Sequence, residues 1–90
     1  MHDRDASSES QPPERGEIGR LLASADGYLV LDAQGRPFAR VDHVRYERHT
    51  DHPDELVVRR GLFRRRLVLP FEAVAAVERK NQTVLLRIKP

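Results

Sequence analysis

The sequence predicts an all-β fold, a small six-stranded, partly open antiparallel barrel with a short helical cap and room for a short N-terminal helix. Three observations lead there. Short apolar, β-branched runs recur at close spacing with turn residues between them, the pattern of a sandwich or barrel. Leu67-Val68-Leu69 runs into Pro70, which has no backbone N–H and must close its strand. Phe71, Val74 and Val77 then follow at three-residue spacing, which lays one apolar side of a helical turn over the end of the sheet.

Size and composition bound the rest. Ninety residues make one domain, and a chain this short buries only about 60% of its unfolded surface. There is no cysteine, hence no disulfide framework, thiolate metal site or cysteine nucleophile. The N-terminus carries acids and prolines, not a basic stretch followed by an apolar one, and no run reaches the ~20 apolar residues of a membrane helix. A cytoplasmic protein is the expectation. A net charge of +2 is too small to announce nucleic-acid binding by itself.

Taken in order, residues 1–16 are expected to form a disordered tail, because Ser, Pro, Gln and mixed charge cannot offset the entropy of ordering. The domain proper is placed at 17–90. Within it, Glu17 to Ser24 carries Ile18, Leu21 and Leu22 at i, i+3, i+4, a short helix that Asp26-Gly27 ends. Tyr28 to Leu31 is the first strand, and Asp32 to Arg36 its turn. Pro37 to Glu47 is a longer strand whose broken apolar alternation predicts a bulge or bend near Ala39 to Asp42. Arg48 to Asp54 is a polar loop. Leu56 to Arg60 and Arg64 to Leu69 form a hairpin around Gly61-Leu62-Phe63. Val77 to Arg79 and Thr83 to Ile88 form another around Lys80-Asn81-Gln82.

These stretches resemble the PRC-barrel family, the barrel of the photosynthetic reaction-centre H subunit and of the C-terminus of a ribosome maturation factor. The resemblance runs from about Gly27 to Ile88. It rests on Val30-Leu31-Asp32-Ala33-Gln34-Gly35, Phe38-Ala39-Arg40-Val41, Leu56-Val57-Val58, and Leu67-Val68-Leu69-Pro70 leading into Phe71-Glu72-Ala73-Val74. Ala39 stands where the family has a Gly, and His43 where an acid is common. The resemblance implies a non-enzymatic adaptor that mediates protein contacts, and it brings no catalytic residue.

The residues themselves point away from catalysis. His49, Asp51, His52 and Asp54 share one loop, with His43 a strand earlier, but Pro53 and the lack of a helical pattern spoil metal-ligand geometry. Ser24 could complete a Ser–His–Asp set, yet no nucleophile elbow accompanies it. No phosphate-binding loop or dinucleotide fingerprint appears. No enzyme, metal, cofactor or small-molecule substrate is expected.

One feature exceeds packing. Arg59, Arg60, Arg64, Arg65 and Arg66 flank Gly61-Leu62-Phe63, with no acid between Glu55 and Glu72. With a three-residue loop, Arg60 would face Arg64 and Arg59 would face Arg65. Like charges placed opposite cost roughly 0.2–1 kcal/mol each. Either an acid such as Asp42, Glu47, Glu72 or Glu78 folds against them, or codon bias has filled a solvated tip with arginine, or the tip (Arg59, Arg60, Leu62, Phe63, Arg64, Arg65 and Arg66) meets a partner. A protein partner or a second copy is the first expectation, with the edges near Tyr28 to Leu31 and Leu85 to Ile88 as dimer contacts. RNA or the ribosome is the alternative, with the arginines on phosphates and Phe63 on a base.

Overall fold

The computed structural model describes residues 15–48 and 52–90. Six strands form one open sheet: β1 (Leu29–Leu31), β2 (Pro37–Arg45), β3 (Glu55–Arg60), β4 (Arg65–Pro70), β5 (Val74–Glu78) and β6 (Thr83–Leu86). Their order across the sheet is β4-β3-β2-β1-β6-β5. The helix α1 (Arg15–Leu22) precedes them. The expected six strands are present, but the sheet is mixed, because β6 returns parallel to β1 with Val30 beside Val84. The first four strands form an antiparallel meander, and the β5–β6 hairpin then lies back along β1. No single sequence stretch encodes that long-range pairing.

Two boundaries move. Arg15 and Gly16, the last two residues of the tail expected over 1–16, belong to α1, and residues 1–14 lie outside the described residues. The helical turn after Pro70 is only the three residues Phe71–Ala73. Val74 and Val77 belong instead to β5, which begins three residues earlier than anticipated. Pro70 does end β4, and the next residue's N–H is taken by the Asp54 carbonyl at 2.9 Å.

The turns follow their chemistry. Asp32 Oδ1 accepts from the backbone N–H groups of Gln34 (2.8 Å) and Arg36 (3.0 Å), and Gly35 adopts φ +80°, which closes β1 onto β2. The bond from the Arg36 N–H is the main reason the Asp32 carboxyl lies below the usual carboxylate range. The anticipated bulge is present. Register shifts between Val41 and His43, leaving Asp42 as the extra residue opposite β3. A second irregularity, where Leu31 faces Pro37 and Val30 faces Ala39, leaves Phe38 as the extra residue opposite β1.

The core gathers Val30, Val41, Leu56, Val58, Leu69, Phe71, Val74, Val77, Val84 and Leu86 from the strands and the short turn. Ile18 and Leu22 join it from α1, which packs against β5, and Ala25 joins it from the turn after the helix. The helix shares the cover that the sequence assigned to the Phe71 turn, which itself buries Phe71 and Ala73. Among the described residues no helix is long and apolar enough to cross a membrane.

Candidate functional site: the arginine hairpin

β3 and β4 pair without interruption from Glu55 opposite Pro70 to Arg60 opposite Arg65. The loop is therefore four residues, Gly61 to Arg64, not three. Arg59 faces Arg66 and Arg60 faces Arg65, one residue away from the register expected. The reason is conformational: Gly61 (φ +82°) and Arg64 (φ +53°) are both left-handed, and the Arg64 N–H donates to the Gly61 carbonyl at 3.1 Å. Leu62 and Phe63 sit at the apex, 92% and 95% exposed.

This register separates the arginines onto two faces. On one face Asp42, freed by its bulge, receives the Arg59 Nη1 at 2.9 Å, the Arg66 Nε at 3.2 Å and the His43 Nδ1 at 2.8 Å. The carboxylate can only accept, so His43 carries its proton on Nδ1 in this contact. The hydrogen bond from Arg59, followed by that from His43, holds the Asp42 carboxyl below its usual range against the opposing effect of burial. The charge of Arg66 acts in the same direction. Of the four acids that the sequence offered as partners, Asp42 is the one that meets this face.

On the other face the Arg60 guanidinium lies 4.6 Å from the centroid of the Phe38 ring, and its Nε donates to the Phe38 carbonyl at 3.2 Å. The side chains of Arg64 and Arg65 have no ion pair or hydrogen bond among the described residues. The seven residues named from the sequence thus do share one projection, but with unequal tasks. Arg59, Arg60 and Arg66 hold the hairpin to β2, while Leu62, Phe63, Arg64 and Arg65 face outward. Sequence reasoning left out Arg40, which lies directly opposite Arg59, and Phe38. Both owe their positions to the two bulges, and only the bulge near Asp42 had a signal in the apolar spacing.

Two open grooves flank the tip. One, of about 600 Å³, runs between Phe38, Arg60, Leu62, Phe63, Arg65 and Leu67. The other, of about 410 Å³, is lined by Arg40, Arg59 and Arg64 together with Leu29, Phe38 and Ala39.

The polar loop has a structural role at its described residues. His52 is buried, with its ring stacked on Phe71 at 4.5 Å and its Nδ1 donating to the Pro53 carbonyl at 3.0 Å. The Asp54 carboxylate accepts from the backbone N–H groups of Glu47 and Arg48. His49 and Asp51 lie outside the described residues. Among those described, no group of three or more His, Asp or Glu is placed to hold a metal ion. Ser24 is exposed in the turn after α1.

The edges expected to form a dimer are not edges. Leu29–Leu31 and Thr83–Leu86 pair with each other in the middle of the sheet, and the open strands are β4 and β5. The bond from Phe71 N to Asp54 O marks that pair as hydrogen-bonded, so by alternation Arg66, Val68 and Pro70 direct their backbone groups outward from β4. Pro70 has no N–H, and Arg66 is charged. Such an edge is guarded against pairing with a copy of itself. No protein-family model matches the chain, and no curated protein sequence matches it.

Proposed function

We propose that this chain is a non-enzymatic adaptor of the PRC-barrel kind, working in the cytoplasm, which captures a protein partner on the β3–β4 hairpin tip. What supports this is one observation: Leu62 and Phe63, adjacent and almost wholly exposed, stand at the apex of a hairpin whose stem is fastened to β2. A domain short of core gains nothing in folding from two large apolar side chains held in water. On a prearranged projection flanked by Arg64 and Arg65 they suit the centre of an interface, where an aromatic anchor is ringed by polar contacts. Prearrangement lowers the entropy lost on binding. In this proposal the open sheet curls toward a barrel, with α1 and the Phe71–Ala73 turn over its mouth.

An extended RNA backbone is less well served. The five hairpin arginines do not make a continuous row: Arg59 and Arg66 share Asp42 and Arg60 is engaged by Phe38 on the other face. Only Arg64 and Arg65 stay uncommitted, and two contacts on a single strand would give a slope of log K against log salt of only about −1.4.

The test is affinity capture from native lysate with the whole chain and with Leu62→Ser/Phe63→Ser. A partner retained by the first should bind the second at least about thirtyfold more weakly, the effect of removing a hot spot worth ~2 kcal/mol. An identical set of proteins on both, or nuclease-sensitive RNA as the only retained species, would overturn the assignment.

A further inference from the structure

We propose that the groove between Arg40, Arg59 and Arg64 is a binding site for a small phosphoryl anion, the dianionic phosphate of a compact ester or of pyrophosphate. This site is separate from the apolar tip and does not depend on a protein partner being bound there. Arg40 on β2 and Arg59 on β3 are direct cross-strand partners, a like-charge pairing that disfavours the sheet. Arg64 enters from the loop in a left-handed conformation that a side chain rarely adopts. Three arginines therefore line one groove of about 410 Å³.

Little of that charge is neutralised. Arg40 gives its Nη1 to a carbonyl, that of Gly27 at 3.0 Å, which leaves its charge in place. Arg59 gives its Nη1 to Asp42, but that single carboxylate also serves Arg66 and His43. Each guanidinium has five N–H donors in a planar fork, so Arg40 and Arg59 keep donors to spare. Arg64 has all of its own. Charge-assisted, bidentate contact is what such forks supply to phosphate oxygens. Leu29, Phe38 and Ala39 also line the groove and offer apolar contact to the carbon body of an ester. An extended polyanion needs a row of cations, which the hairpin lacks. A compact anion needs only one face, and Arg40 completes that face from the neighbouring strand.

The experiment is a titration of the labelled full-length chain with pyrophosphate, orthophosphate and phenyl phosphate at low salt, followed by ¹H–¹⁵N correlation spectra. Saturable shifts are expected at Arg40, Arg59, Gly61 and Arg64, half complete near or below about 1 mM, equivalent to ~4 kcal/mol. Arg64→Gln, which removes no contact within the described fold, should weaken binding about ten- to hundredfold, the effect of one charge-assisted hydrogen bond. Arg40→Gln should do the same. Leu62→Ser/Phe63→Ser should leave phosphate binding unchanged even where it abolishes protein capture, so the two sites fail separately. Phenyl phosphate binding several-fold tighter than orthophosphate identifies an ester, and pyrophosphate binding tightest identifies the inorganic anion. The proposal is overturned by shifts that do not saturate, by equal shifts from sodium chloride at matched ionic strength, or by an Arg64→Gln protein that binds as well as the parent.

Discussion

Leu22→Ala measures whether α1 is part of the domain or an ornament on it. Leu22 is fully buried and lies in the same core cluster as Ile18, Ala25 and the strand residues. Leu→Ala at such a site costs about 2–5 kcal/mol, and the value rises with the volume left unfilled. The helix has only eight residues and lies over β5 at one edge, so it can shift to close part of the cavity. The lower half of that range, about 2–3 kcal/mol, is therefore expected. Stability of roughly 0.05–0.15 kcal/mol per residue gives a domain of this size about 4–11 kcal/mol in all. The substitution should remove about a fifth or more of it and lower Tm by roughly 10–20 °C. Urea unfolding followed by circular dichroism gives the number directly. Leu21→Ala, at a half-buried neighbour on the same helix, is the control and should cost about half as much. A loss below about 1 kcal/mol for Leu22→Ala, or equal losses for the two, would refute the docking of α1 on the sheet.

Three further outcomes follow from the hairpin and its anchor. Asp42 and Asp32 both have folded-state carboxyls below their ordinary values, so each contributes stability that is present above about pH 4 and disappears as pH falls through the depressed value. The urea midpoint should therefore drop between pH 5 and pH 2, and Asp42→Asn should reduce that drop while weakening the protein at pH 7. Gly61→Ala meets no atom within 4 Å but must hold φ +82°, so its cost is backbone strain alone, about 1 kcal/mol, read as a Tm lower by roughly 4–8 °C. Leu62→Ser/Phe63→Ser should change unfolding free energy by less than about 0.5 kcal/mol, since neither side chain is packed. A large loss of stability there would mean that the tip folds back on the sheet.

Much of this protein could be read from its residues, for local reasons. Short β-branched runs make strands wherever they pack, Pro70 ends β4 because it lacks a donor, and Asp32 to Arg36 turns because an Asx bond and a glycine suit it. The broken apolar alternation near Ala39 to Asp42 predicts a bulge or bend, and the bulge is there. The register of the hairpin was not legible. Leu56, Val57 and Val58 and their partners Leu67, Val68 and Leu69 are apolar on both faces, so alternation could not distinguish a three-residue from a four-residue loop. Only the ladder, closed by left-handed Gly61 and Arg64, decided it. The same holds for the site. Five arginines look equivalent in a sequence, but which of them is engaged depends on what a distant strand brings alongside. The bulge that places Asp42 against Arg59 and Arg66, the Phe38 ring beneath Arg60, and Arg40 opposite Arg59 are contacts between β2 and the hairpin, some 17 to 24 residues apart. The parallel return of β6 to β1 is longer still. Local propensity determines which segments extend, but pairing energy between remote segments is a property of the assembled sheet, and that sheet chose which cations remain open to a ligand.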